Sequence, residues 1–394
     1  MTYKSNSANR HGALAAALLV VLAPAIARAA PDTIIYSFAG GNDGASPRST
    51  LIQDSAGNFY GTTNKGGPSN AGTVFKVTPG GVESVLYAFT GGSDGGNPSG
   101  GPLVMDSLGN LYGTAAVGGA RTVGVVFKVP PGGGESVVYT FTYGADGGYP
   151  AGGLIADTQG NLYGVCFDAG NAGGWGTVFK VTTGGTLTTL HSFAGYPNDG
   201  ARPESTLAID ATGAVYGITY QGGPMNGGTV FKIPSGGVLS TLYSFTNGND
   251  GSAPQGGVVL DASGNIYGTA GGGANSFGTF WEISNTGTFG VLYSFAGLHK
   301  GQATLSNLIL DPAGDFFGTT YSVGTFSDGS VFEMLPPAGA HRTTWRLKSL
   351  HGFKNTPDGE NAVGSPLMDA SGNLYGVTQY GGASGNGALY KIVP

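Results

Sequence analysis

Four acidic residues, Asp168, Glu204, Asp328 and Glu360, stand outside the repeated positions of this chain. Carboxylates can serve as general acid, base or nucleophile. Glycoside hydrolysis needs two of them, roughly 5 to 9.5 Å apart. Asp168 and Glu204 flank one junction between repeats, and Asp328 and Glu360 flank another. In the same two loop types lie Arg48, Lys65, Phe167, Trp175, Tyr220, Gln255, Tyr321 and Tyr380, each departing from the residue that other copies carry there. Aromatic faces beside amide, Arg and carboxylate groups suit a sugar, and equally a protein epitope. The plainer alternative is a set of solvated loop residues that drifted between copies.

Other chemistries find less support. No His pair has metal-ligand spacing, and neither a metal nor a cofactor is implied. His191 and His351 occupy a position that other copies fill with Tyr, which predicts packing roles; His299 is the one His expected on the face of the acids. Cys166 takes a slot otherwise held by Thr or Ala, so a small buried residue is expected rather than a nucleophile. Gly91 to Gly95 satisfies Gly-x-Ser-x-Gly, but no helix pattern follows it, and the match is fortuitous.

The elements that must position these residues are set by a repeat. An aromatic-Gly step recurs at Tyr60, Tyr112, Tyr163, Tyr216, Tyr267, Phe317 and Tyr375, at intervals of 50 to 58 residues. Each copy carries four short β-branched and aromatic segments between Gly, Asp or Pro punctuation. In the second copy these are Leu103 to Asp106, Gly109 to Thr114, Gly124 to Val129 and Val138 to Phe141. Four antiparallel strands per 50 residues make a propeller blade. The chain opens with a lone fourth segment, Ile34 to Phe38, and ends with a third, Ala388 to Ile392. An open solenoid would want capping repeats instead. The expectation is therefore an all-β, seven-bladed β-propeller, closed by the N-terminal strand completing the last blade.

The strings Gly-Asn-Leu-Tyr-Gly-Thr, Gly-Thr-Val-Phe-Lys-Val and Leu-Tyr-Ser-Phe at this period resemble the Gloeobacter/Verrucomicrobium (GloVer) tandem-repeat family over residues 33 to 394. The resemblance implies an exported bacterial repeat protein, often tethered by a C-terminal anchor. It brings no catalytic residue with it. The end at Ile392-Val393-Pro394 shows no sorting segment, so anchoring is unsupported.

Composition agrees with this architecture. Gly and Pro together supply 97 of 394 residues, which would read as disorder if they did not recur at fixed turns. Thirteen of the 23 acids fall in two repeated slots, the turn slot of Asp54 and the interblade loop slot of Asp43, where turn capping is the expected role. Lys4 and Arg10, the apolar Ala13 to Ile26 and the small-x-small step Ala27-Arg28-Ala29 read as a cleaved signal peptide, residues 1–30. The rest, 31–394, is expected to be one domain with no transmembrane segment. Without the three basic residues of the leader, 14 basic face 23 acidic residues, a balance of −9 that does not suit nucleic acid.

The leading expectation is a secreted or periplasmic monomeric module that binds an extracellular polysaccharide or surface protein at the channel mouth. The rival is a carbohydrate-active enzyme, hydrolase or lyase, using Asp168, Glu204, Asp328 or Glu360. A third reading is an envelope repeat protein recognised by shape alone.

Overall fold

An aromatic-Gly step earns its place by what lies opposite it. In the computed structural model, which describes residues 32–98, 100–297, 307–322, 328–337 and 344–394, each such Gly faces the ring of a buried third-strand aromatic. A Cβ on Gly113 would sit 2.5 Å from Cζ of Phe127, and one on Gly61 would sit 2.7 Å from Cζ of Phe75. Only hydrogen fits there, so the ring can fill the middle of the blade. Phe75, Phe127, Phe179, Phe231 and Trp281 are all fully buried in this way.

The turn before that step is tied by its Asp. One oxygen of Asp106 accepts the backbone N–H groups of Leu108 and Asn110 at 2.9 Å each. The other accepts from Asn110 Nδ2 at 2.8 Å and from the Tyr112 hydroxyl at 3.1 Å. Asp54, Asp157, Asp261 and Asp369 repeat the pattern. Burial pushes the Asp157 carboxyl up, but the hydrogen bonds from Asn161, Tyr163 and Gln159 outweigh it and hold the pKa at about 2. The Asp-x-x-Gly-Asn-Leu-Tyr string is thus one hydrogen-bonded unit.

Seven antiparallel blades follow one another around a ring, the fourth extended by a separate two-stranded ladder of Gly200–Ala201 with Gln221–Gly222. Blade 3 is the plainest, with strands Gly148–Ala156, Leu162–Asp168, Thr177–Val181 and Leu187–Ser192 in sequence order. Blade 7 takes Glu360–Met368, Leu374–Tyr380 and Ala388–Ile392, and its fourth strand is Thr33–Ser37 from the start of the fold. Thr33 lies opposite Lys391 and Ser37 opposite Ala388, so the expected closure is the one observed. Apolar clusters bridge neighbours: Phe89 of blade 1 packs with Leu103, Val125 and Phe127 of blade 2.

First strands are broken in blades 1 and 2, where Ala45–Pro47 and Ile52–Gln53, then Gly96–Pro98 and Val104–Met105, share one partner strand. Pro has no N–H for the ladder, and the residue before it is in the left-handed region. Ser46, Asn97, Tyr149, Arg202 and Ala253 all precede a Pro with φ between 48 and 55°; Asn361, before Ala362, has φ 57°. Each donates its N–H to the loop between the second and third strands of the preceding blade. Asn97 reaches Ala71 O at 2.8 Å, Tyr149 reaches Val123 O at 2.7 Å, and Arg202 reaches Trp175 O at 2.8 Å. Such φ values cost about 1 kcal/mol or more in a residue with a side chain, and persist where the surroundings dictate them.

Loop aspartates fasten the same face. Asp94 accepts from the Tyr87 hydroxyl at 2.8 Å and from the Thr90 N–H at 2.7 Å. His191 replaces Tyr in this arrangement and contacts Asp199 at 2.9 Å, the packing role its slot predicts. Cys166 is completely buried. No helix among the described residues is long and apolar enough to cross a membrane. The leader of residues 1–30 and His299 lie outside the described residues.

Candidate functional site at the axis

The latch before each Pro brings the loops that enter the first strands together at the ring axis. There they and the ends of the second strands line a cavity of about 570 Å³ to which all seven blades contribute. Its wall is mixed. Tyr149, Phe167 and Tyr321 supply aromatic surface, Asn64, Asn97, Gln255 and Asn307 supply amides, and Arg48 and Glu204 supply charge.

Five of the sequence-predicted residues meet here: Arg48, Phe167, Glu204, Gln255 and Tyr321. Gln255 donates to Glu204 at 2.9 Å. Burial raises the Glu204 carboxyl pKa, against the opposing Gln255 hydrogen bond and Arg202 charge. Burial likewise raises Tyr321, whose hydroxyl donates to Gln379 at 3.2 Å. Gln379 in turn donates to the Tyr380 hydroxyl at 3.0 Å, so Tyr380 supports the wall from behind rather than lining it.

The remaining predicted residues stand outside the lining. Asp168 accepts from the Tyr143 hydroxyl at 2.9 Å. Glu360 pairs across the ladder with Tyr380, and the Asp328 carbonyl accepts from the Asn361 N–H at 2.7 Å. Glu204 is therefore the one acid of the cavity wall, and no second carboxylate joins it there. Lys65 is exposed beside Asn64, Trp175 is exposed and contacts Arg202, and the Tyr220 N–H donates to the Arg202 carbonyl at 3.1 Å. No group of three or more His, Cys, Asp or Glu that could hold a metal occurs among the described residues.

Sequence reasoning passed over Asn97, Tyr149 and Arg202. Arg202 lies against two rings, with Cζ 5.2 Å from the Phe167 centroid and 5.8 Å from that of Trp175. Tyr143 and Tyr149 meet edge to face at 5.9 Å. The four exposed aromatics among the described residues, Tyr143, Tyr149, Trp175 and Tyr196, all belong to blade 3 or the loops on either side of it. The signal was available, because each of the three missed residues immediately precedes a loop Pro.

Fold and cavity together define a seven-bladed β-propeller with one polar and aromatic cup at its axis. The chain belongs to the Gloeobacter/Verrucomicrobia repeat family, whose pattern matches residues 25–207, 139–311 and 269–394. No curated protein matches it. Among solved structures, it is similar to the virginiamycin B lyase of Staphylococcus aureus, with TM-score 0.58, 10% identity, and 89% of this chain and 96% of that one covered. It is also similar to the extracellular domain of a B. thetaiotaomicron protein assigned as a one-component system, with TM-score 0.50 and 12% identity. That match covers 91% of this chain but 39% of the other. At such identities the likeness is one of fold.

Proposed function

We propose that this protein is an exported binding module that takes a glycan into the axial cup. The observation that carries the reading is the make-up of the wall: aromatic faces of Tyr149, Phe167 and Tyr321 interleaved with Asn64, Asn97, Gln255 and Asn307. Sugars present apolar C–H faces and a dense rim of hydroxyls, and this pairing answers both. A concave cup of this volume also suits a few sugar units better than the broad, flatter patch a protein partner needs. Export rests on the basic and apolar leader, and the family resemblance supports it.

A carbohydrate-active enzyme is the second reading, favoured by one feature. Burial raises the pKa of Glu204, which suits a general acid. Calorimetry of the purified protein against a panel of polysaccharides and their oligomers tests the first reading, and assay of the same mixtures for new reducing ends or unsaturated products tests the second. Saturable binding without turnover supports the module; no binding to any glycan removes it.

A further inference from the structure

The cations of this acidic protein are unevenly committed. Lys76, Lys128, Lys180, Lys232 and Lys391 lie over the tyrosines of the repeat, and Lys348 pairs with Glu333 at 2.9 Å. By contrast, the side chains of Arg48, Lys65, Arg121 and Arg202 make no hydrogen bond or ion pair with any described residue. All four stand at one face, Arg48 in the break of the first strand of blade 1, Lys65 at the end of its second strand, Arg121 between the second and third strands of blade 2, and Arg202 at the entry to blade 4. Arg346, similarly uncommitted, stands at the opposite end of blade 6, opposite Leu335 on the ladder. The loop aspartates that share the cup's face are already spent on Tyr or His side chains and backbone N–H groups.

Arg202 is the most constrained of the four. Its N–H is bound to Trp175 O at 2.8 Å, its carbonyl accepts from Tyr220, and its φ of 55° leaves little freedom before Pro203. The guanidinium rests against Phe167, a cup-wall residue, and against Trp175; Arg202 and Trp175 themselves stand just outside the lining. An Arg beside rings and without a paired acid keeps its N–H fork for an incoming carboxylate, which it can take in two parallel hydrogen bonds. Two residues on, the Glu204–Gln255 pair offers acceptor and amide to hydroxyls. Next to it the Ser205 hydroxyl, 5% exposed and part of the cup wall, has no hydrogen-bond partner among the described residues.

We propose that the cup selects acidic glycans, polymers of carboxylate-bearing sugars. The Arg202 fork takes the carboxylate, Trp175 and Tyr149 face the ring, and Glu204, Gln255 and Ser205 meet hydroxyls. Glu204, the one acid of the wall, confines the ligand's charge to the Arg202 side. This inference rests on the glycan-binding reading above and narrows it.

The test uses polygalacturonate, alginate and hyaluronate, each beside its methyl-esterified form, titrated into the purified protein at low and moderate salt. At least one acidic polymer is expected to bind, and esterification is expected to weaken it about tenfold or more. Arg202→Gln should lose a similar factor and become indifferent to esterification, with Arg202→Lys in between. Arg346→Gln should match the wild type, and circular dichroism with the melting temperature shows whether each variant is folded. Equal binding of esterified forms, or a neutral xylan or mannan held as tightly, overturns the acidic preference and leaves the glycan module standing. Failure of every acidic and neutral glycan overturns both.

Discussion

Three consecutive seams between blades carry an acid where the other four carry an apolar residue, and this makes stability depend on pH in a particular direction. At the start of the fourth strands, Asp32, Glu83 and Glu135 of blades 7, 1 and 2 hold the place of Leu187, Leu239, Phe289 and Leu347. In blade 5 that residue, Phe289, stacks on Tyr243 of blade 4 at 3.7 Å. In blades 1 and 2 it is instead a Glu directed at the loop Asp of the blade before. Burial, with the Asp43 charge adding, pushes the Glu83 carboxyl to about 7; burial and Asp94 do the same for Glu135. Each leaves one buried carboxyl oxygen without a hydrogen-bond partner among the described residues. A Glu raised this far imposes no penalty while it is protonated, below about pH 4.5, and the penalty grows as pH climbs through 7. Holding a carboxylate pKa at about 7 instead of its ordinary value would cost about 3 kcal/mol in full. Both groups are half-buried, so screening reduces this to about 1–2 kcal/mol each. Glu83→Leu with Glu135→Leu gives these seams the residue other blades use. Chemical denaturation followed by circular dichroism between pH 5 and 8 should show the wild type losing about 2–4 kcal/mol more than the double variant. The variant should be the more stable of the two at pH 8. Equal pH slopes, or a variant less stable at pH 8, would refute the reasoning. His351 titrates in the same sense: burial opposes its protonation, but Asp358 and Asp32 outweigh it and raise the pKa. Its contribution is present below about pH 6.5 and lost as pH rises further, and His351→Tyr isolates it.

Three further outcomes follow from the packing. Tyr390 stands where five of the other six blades have Phe, and its buried hydroxyl has no partner among the described residues, so Tyr390→Phe should raise stability by about 1 kcal/mol in a denaturation curve. Gly113→Ala places a Cβ 2.5 Å from Phe127 and 2.6 Å from Leu103, and should cost about 1–3 kcal/mol by the same measurement. Cys166 is fully buried with its thiol pKa pushed up by burial, so a thiol reagent should label the native protein negligibly at pH 8 and fully once it is unfolded.

The blades were legible because their glycines and aspartates answer backbone demands that admit few substitutes: a ring against Gly113, four hydrogen bonds on Asp106. Ring closure was legible because Thr33–Ser37 has a fourth-strand pattern and no sheet of its own until Ala388–Ile392 supplies one. The cup was legible only in part. Residues before the loop Pro are Ser46, Asn97, Tyr149, Arg202 and Ala253. Their shared backbone geometry leaves the side chain free to vary, so no residue type marks the slot. Asp168 and Glu204 looked like a pair because their loops adjoin, yet only Glu204 lines the cavity, since Asp168 engages Tyr143. The seam acids were visible as three separate strand starts; only the ring brings each against a neighbour's loop.

The central claim is that the axial cup is the ligand site. Calorimetric titration of an acidic polysaccharide into the wild type, Phe167→Ala and Gln255→Ala tests it most directly. The account predicts saturable binding by the wild type, weakened about tenfold or more by each cup-wall change in folded protein. Binding of undiminished affinity in both variants would contradict it.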